Sequence, residues 1–216
     1  QGARFAADPR ALHYLLNVLR RGEGDPLRLF NGRDGEYAAR IAEAGKKRLT
    51  LEVLERRRAQ GPSTDLWLCF APLKKDAVDF LIEKGTELGV DRFQPVLTAH
   101  TAIKALNTTR LTAVATEAAE QCGRLTVPEV AEAMTLEAMR TSWPAGRRLL
   151  ICAEAGAAVP IAEALRNLTS AVSGTNRFAL LAGPEGGFQQ EELDRLRKLD
   201  FVTAVGLGPR ILRAET

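Results

Sequence analysis

Two glycine-bearing segments carry the most chemistry in this sequence. The first is Gly183-Pro184-Glu185-Gly186-Gly187-Phe188. It follows the apolar run Phe178–Ala182 and precedes a helical pattern that starts at Gln190. That places it at the carboxyl end of a sheet strand, where open α/β sheets bind ligands. Adjacent glycines let backbone approach a ligand closely and turn N–H groups into the loop. The segment is not G-x-G-x-x-G, and it lacks the lysine of a P-loop. Glu185 at its centre repels a pyrophosphate. A ligand with a cationic centre and hydroxyl groups suits it better. The plainer alternative is a tight turn that needs glycine.

The second segment is Leu207-Gly208-Pro209-Arg210-Ile211-Leu212-Arg213-Ala214-Glu215-Thr216. It follows the next strand pattern, so both loops are expected side by side on one sheet edge. The alternative is the start of a surface helix. A third cluster, Glu120, Gln121 and Arg124, occupies one turn at a helix end. Arginine and glutamine read a base edge or a phosphate through paired hydrogen bonds. Arg124 also complements the helix dipole, and on the residues alone that reading is the better one. Cys122 falls on the apolar stripe of the same helix and reads as a small core residue. His13 and His100 stand isolated and read as non-catalytic. No Ser-His-Asp, Cys-His or H-E-x-x-H arrangement is present. The three cysteines, Cys69, Cys122 and Cys152, form no C-x-x-C pair. A zinc site is not expected, and a reduced, intracellular protein is the simple reading.

The elements that must position these groups fall into two regions. Residues 1–63 read as mostly β. Pro26–Asn31, Gly35–Ala44 and Arg48–Leu54 are strands separated by Asn/Asp/Gly turns. Ala11–Leu19 is a short helix with a start signal at Asp8-Pro9. A small barrel is the expected form. Arg56–Ser63, broken by Gly61-Pro62, reads as a linker. Residues 64–216 alternate strand and helix. Strands are expected at Leu66–Phe70, Phe93–Leu97, Arg148–Ala153, Phe178–Ala182 and Phe201–Leu207. Helices are expected at Asp76–Leu88, Thr109–Cys122, Ile161–Leu168 and Gln190–Leu199. Such alternation implies a mainly parallel sheet covered on both faces.

Composition narrows the function. At 216 residues, 45% hydrophobic and 26% charged, the chain is neither disordered, collagen-like nor a disulfide scaffold. No apolar run approaches the ~20 residues that span a bilayer, and no leader segment is seen. Residues 1–63 carry 13 Lys and Arg against 8 Asp and Glu, hence +5, whereas residues 64–216 carry 17 against 19, hence −2. A small basic module beside a near-neutral one fits a polyanion-facing domain attached to a chemistry domain. Arg4 and Arg20 are its leading candidates for RNA contact.

Four motifs then converge. They are Lys74-Lys75-Asp76 with Glu83-Lys84-Gly85-Thr86-Glu87-Leu88-Gly89-Val90; Glu120-Gln121-Cys122-Gly123-Arg124 with Val127-Pro128-Glu129; the loop at 183–188; and the segment at 207–216. In this order they closely resemble the bacterial ribosomal RNA small-subunit methyltransferase E family, of the SPOUT superfamily. The N-terminal stretch from His13 to Tyr37 is similar to that family's PUA-like RNA-binding barrel.

The resemblance implies an α/β fold: a SPOUT-type, trefoil-knotted parallel sheet with helices on both faces. A PUA-like barrel at 1–63 would precede this methyltransferase domain at 64–216. The knot is an exception to the rule that chains do not thread. It implies an S-adenosylmethionine-dependent enzyme that methylates N3 of a uridine in small-subunit (16S) ribosomal RNA. The enzyme would act in the cytoplasm as a homodimer without a metal. The cofactor would be wrapped by Leu181, Ala182, Gly183, Glu185, Gly186 and Gly187 with Leu207, Gly208, Ile211, Leu212 and Arg213. Gln121 and Arg124 would join Arg4 and Arg20 on the RNA. Arg124 and Arg213 are candidates to stabilise the anion that forms on the uridine oxygens, and Glu120 is a candidate proton acceptor. Family members continue beyond Arg213-Ala214-Glu215-Thr216 with an Ala/Leu-rich helix, so that helix is expected to be missing here. A non-catalytic RNA-binding protein on the same scaffold is the competing reading, and the intact glycine loops argue against it.

Overall fold

Asp8 starts the first helix as its position predicts. Its carboxylate accepts the N–H groups of Arg10 (2.8 Å) and Ala11 (2.9 Å), satisfying two of the donors that a helix start leaves open. In the computed structural model, which describes residues 2–62, 64–103, 105–152, 158–171, 177–210 and 212–216, the chain divides into two compact units, Gln1–Pro62 and Ser63–Thr216. Ser63, Ala153 and Ile211, all named above, lie outside the described residues.

The first unit contains β1 (Arg4–Ala6), α1 (Pro9–His13), β2 (Pro26–Phe30), β3 (Glu36–Ala44) and β4 (Leu49–Arg58). A π-helical turn, Tyr14–Val18, continues α1. The strands form one antiparallel sheet in the order β1-β4-β3-β2. The sheet thus has β1 and β2 as its edges, and β1 is a strand too short to be read from its sequence. Leu12, Leu15 and Leu16 cover the core residues Ile41, Leu49 and Leu51 on one face, as their helical spacing requires.

The second unit is built on a parallel sheet. It runs through β5 (Leu66–Phe70), α2 (Lys75–Glu87), β6 (Arg92–Leu97), α3 (Thr108–Cys122), β7 (Glu129–Val130), β8 (Met134–Thr135) and α4 (Leu136–Thr141). It then continues with β9 (Arg147–Cys152), β10 (Val159–Pro160), α5 (Ile161–Ala171), β11 (Arg177–Ala182), α6 (Gln190–Arg197) and β12 (Val202–Gly206). The strand order is β10-β12-β9-β11-β5-β6-β7, with β8 also on β6. Every pairing is parallel.

Alternation along the strands sorts the core into two faces. On one face Cys69, Val96, Leu149, Ile151, Ala179 and Leu181 pack with Met139 of α4 and with Leu193 and Leu196 of α6. On the other, Phe70 and Phe93 pack with Val78, Leu81 and Ile82 of α2 and Leu111 and Ala115 of α3. Leu150 and Val205 on that side pack with Ala164 of α5. Both faces are therefore covered, as apolar strands buried on both sides require. Two expectations change. The strands that precede the two glycine loops, β11 and β12, are not neighbours, because β9 lies between them. Cys122 is exposed rather than a core residue.

Candidate active site

The two edges of the parallel sheet differ in chemistry. At the amino-terminal edge, arginines bolt strand starts together. Arg147, 2% exposed as a side chain, donates to Asp65 Oδ1 at 2.5 Å and stacks 3.9 Å from the Trp67 ring. Arg177 reaches the other oxygen of Asp65 at 2.6 Å. Arg92 pairs with Glu129 at 2.7 Å.

Arg124 belongs to this edge. Its guanidinium donates to the carbonyls of Thr86 (3.0 Å) and Val90 (2.6 Å), to Thr126 Oγ1 (2.8 Å) and to the Asp91 carboxylate. It ties the end of α3 to the end of α2 and the start of β6. The helix-end geometry follows from Gly123, whose φ of 71° closes α3 with a left-handed residue. Glu120 and Gln121 are exposed on the same last turns of α3. Partial burial of its carboxyl, with the Glu117 charge one turn away, raises the Glu120 pKa above the ordinary carboxylate value. The third cluster therefore sits across the length of β6 from the glycine loops, roughly 20 Å for a six-residue strand. Within one chain, Arg124, Glu120 and Gln121 do not meet those loops.

The carboxyl-terminal edge carries both glycine loops. The 183–189 loop leaves β11 and enters α6, where the Glu192 side chain accepts the Gln189 N–H at 2.9 Å. The loop needs glycine at two places for stated reasons. A Cβ on Gly183 would stand 2.8 Å from the Phe188 ring, which folds back over it. Gly187 holds φ at +69°, and its N–H donates to the Pro184 carbonyl at 2.9 Å. Glu185 and Gly186 are exposed and Gly187 is half-buried. Leu181 is fully buried and packs in the core. Its side chain therefore faces away from any ligand on this edge, and only its backbone is available there.

The second loop presents two large apolar side chains to solvent, Leu207 at 50% and Leu212 at 37% exposure. Gly208 and Arg213 are exposed as well. Beyond Arg213 the chain turns, with the Thr216 N–H on the Arg213 carbonyl at 3.0 Å. Ala214 packs against the α2–α3 core cluster around Phe70, Leu73 and Val78. From β12 the chain has thus come back across the sheet towards β5.

His100 is the residue that sequence reasoning missed. It is not isolated: its Nδ1 lies 3.1 Å from the Gly186 carbonyl oxygen and 3.1 Å from that of Gly187. The loop after β6 is fastened there a second time, by the Ala99 N–H on Glu192 Oε1 at 2.9 Å. Only its position just past the end of β6, on the ligand-binding edge of a parallel sheet, was readable beforehand. Among the described residues no group of three or more His, Cys, Asp or Glu is placed to hold a metal ion, and no helix is long and apolar enough to cross a membrane.

Residues 60–216 match the family model described as an RNA methyltransferase domain, and residues 7–54 match the one described as an RNA methyltransferase PUA domain. Fold and sheet edge together define an RNA methyltransferase with an attached PUA domain. The chain is 32% identical to the ribosomal RNA small subunit methyltransferase E of Rickettsia conorii, over 97% of this chain and 84% of that protein. It is 29% identical to the Bacillus subtilis protein of the same name, over 98% and 85%. A crystal structure of the Neisseria gonorrhoeae ribosomal RNA small subunit methyltransferase E, bound to S-adenosyl methionine, superposes with a TM-score of 0.85 at 26% identity, covering 99% of this chain and 87% of that one. This chain belongs to the ribosomal RNA small subunit methyltransferase E family.

Proposed function

We propose that the protein transfers a methyl group from S-adenosylmethionine to N3 of a uridine in small-subunit ribosomal RNA, working in the cytoplasm as a homodimer. The observation that carries this reading is the carboxyl-terminal sheet edge, in a chain that aligns over nearly its whole length with an S-adenosyl methionine-bound relative. The chemistry of that edge fits the cofactor. Leu207 and Leu212 offer apolar surface to an adenine. The 183–187 backbone offers polar groups to a ribose or an amino acid. Glu185 favours a cationic sulfonium over a phosphate chain. The cofactor supplies an activated methyl group.

The residues then have to bring an unpaired uridine to that edge, because N3 lies on the Watson–Crick face. Positioning is the main contribution. Arg213, exposed on the second loop, is the proposed partner of the uridine oxygens as N3 loses its proton. Glu120, Gln121 and Arg124 stand on the other sheet edge, so in this reading they serve the RNA from a second copy of the chain. The knotted path of the carboxyl half belongs to the same proposal, and the return of Ala214 to the α2–α3 cluster supports it. The first unit, with its excess of basic residues, is assigned to RNA.

Two measurements test the proposal. Calorimetric titration with S-adenosylmethionine, ATP and NAD should give binding for the first alone. Nucleoside analysis of small-subunit rRNA after incubation with protein and cofactor should yield N3-methyluridine. Cofactor binding without methylated product would leave a non-catalytic RNA-binding protein.

A further inference from the structure

His100 makes one pair of contacts that fixes its chemistry. Two carbonyl oxygens, those of Gly186 and Gly187, face its Nδ1 at 3.1 Å each. Carbonyl oxygens only accept, so Nδ1 carries a proton in that position. In the neutral ring the lone pair is then on Nε2. An imidazole whose tautomer is fixed by a backbone carbonyl is poised as an acceptor at its other nitrogen. His100 is also exposed, and it sits on the glycine loop at the carboxyl-terminal edge, where the methyl acceptor must arrive. It is held there by the Ala99 N–H on Glu192 and by the hydrogen-bonded pair Thr98 and Thr101, whose hydroxyls lie 2.9 Å apart.

Methylating N3 of a uridine requires a base, because N3 begins with a proton. Acid–base catalysis is most efficient when the base titrates near the working pH. An imidazole is suited to that task, and His100, unlike Glu120, stands on the glycine-loop edge of its own chain. We propose that His100 is the catalytic residue that takes the N3 proton through Nε2, an inference that rests on the N3-uridine reading above. The N3–H bond breaks and its proton forms a bond with Nε2. The electron pair left on N3 makes the new bond to the methyl carbon while the methyl–sulfur bond breaks, its pair staying on sulfur. The imidazolium so formed donates from Nδ1 to both glycine carbonyls, which stabilise its charge, and it later gives the Nε2 proton to water. The charged groups on the neighbouring elements are Glu185 on the glycine loop, Glu191, Glu192, Asp194, Arg195 and Arg197 on α6, and the paired Glu137 and Arg140 of α4, which line a hollow with Ala99. Glu192 is already engaged by two backbone N–H groups.

The test uses His100→Gln, which keeps a donor for the two carbonyls but provides no base, beside His100→Ala. First, long-range proton–nitrogen NMR of the wild-type protein without cofactor should show the His100 ring protonated at Nδ1 and bare at Nε2. Second, H100Q should bind S-adenosylmethionine and rRNA as the wild type does, while methyl transfer falls by about 10²-fold or more. Third, the wild-type rate should drop towards acid, where protonation removes the lone pair of an imidazole base. H100Q should lack that limb and instead gain rate as alkali strips N3 of its proton. An Nε2–H tautomer, or an H100Q rate and pH profile equal to the wild type, would overturn the assignment. So would lost cofactor affinity in H100A that H100Q restores together with full activity, since His100 would then only brace the loop. Product analysis separates the two levels. N3-methyluridine with an unchanged H100Q profile removes His100 alone, whereas another methylated nucleoside removes the N3 reading and this inference with it.

Discussion

Arg124 and Asp91 are paired at the amino-terminal edge of the parallel sheet. With the carbonyls of Thr86 and Val90 and the hydroxyl of Thr126, Asp91 completes the set of acceptors around one guanidinium. Both side chains are largely withdrawn from water, at 14% and 17% exposure. Arg124→Ala takes the guanidinium from the Asp91 carboxylate, which keeps the Thr64 hydroxyl at 2.8 Å, and from the two carbonyls. Breaking such a pair costs about 3 kcal/mol, or roughly 6–12 °C in Tm for a chain of this size. Arg124→Lys should recover less than half of the loss, because a single ammonium cannot span acceptors arranged for a planar fork. Thermal melts of the two variants check this. A wild-type melting temperature for Arg124→Ala would mean that these bonds carry no stability.

The 183–187 loop gives separable predictions for its glycines. Gly183→Ala pushes a Cβ to 2.8 Å from the Phe188 ring and must turn that ring away. Gly187→Val forces a β-branched residue to φ +69°, a conformation that costs about 1–2 kcal/mol for any L residue and more for a branched one. The protein should stay folded, with Tm lowered by several degrees. The loop backbone should shift enough to weaken S-adenosylmethionine binding by at least about tenfold, the equivalent of 1.4 kcal/mol. Calorimetry beside a melt decides it: a folded Gly187→Val protein with normal cofactor affinity would move the site off this loop.

Much of the second unit was legible, because parallel strands buried on both faces read as unbroken apolar runs. Leu66–Phe70 and Phe178–Ala182 are such runs, and both are strands as expected. The helices were legible from 3.6-residue stripes and their ends, such as Gly123 after α3. Two-residue strands like β7 and β10 make too short a pattern to register. Helix α4 hides for the same reason, although Thr135 caps it by accepting the Ala138 N–H at 3.0 Å. The spatial order of strands was not legible, so nothing in the chain announced β9 between β11 and β12. At the site, glycines mark the loops locally. The contact between His100 and Gly186 spans 86 positions of sequence, and no local pattern announces that Arg124 meets Asp91 and the carbonyls of Thr86 and Val90.

Asp65 ties stability to acid. Burial pushes its carboxyl up, but hydrogen bonds from Arg147 and Arg177, with their charges, outweigh that and hold it below the ordinary 3.8. A carboxyl depressed in the folded state binds fewer protons there than in the unfolded chain. Its contribution is therefore complete above pH ~4 and is lost as pH falls through the lowered value. Asp65→Asn removes the charge while tolerating the positive φ of 49°. At pH 7 the variant leaves the buried Arg147 without its carboxylate, at a cost of about 3 kcal/mol. The gap between wild type and variant should narrow steadily as pH falls below about 4. Urea unfolding at a series of pH values measures it, and a gap independent of pH would show that Asp65 is not held in its charged form by the arginines.

The first unit should supply RNA affinity without touching cofactor binding. Its balance is +5, from 13 basic and 8 acidic residues. Each lysine or arginine placed on a phosphate releases condensed counterions, so log affinity falls with log salt by roughly 0.7 per contact on single strands. The two leading arginines are not equivalent. Arg4, at 54% side-chain exposure, lies 3.4 Å from Glu52. That carboxylate also holds Arg40 at 2.8 Å, so part of the Arg4 charge is already answered within the sheet. Arg20 is exposed on a residue of positive φ, 53°, just beyond the helical turn. Arg20→Ala should flatten the salt slope by about 0.7 and Arg4→Ala by less, the double variant reaching about 1. Affinity should fall about uniformly across RNA sequences, as expected when phosphates rather than bases are contacted. The affinity for S-adenosylmethionine should not change. Filter binding of small-subunit rRNA at four or five salt concentrations, for wild type and the three variants, gives the slopes directly. If the double variant keeps the wild-type slope, the basic excess of this unit is a solvated surface and the RNA is gripped by the arginines of the second unit.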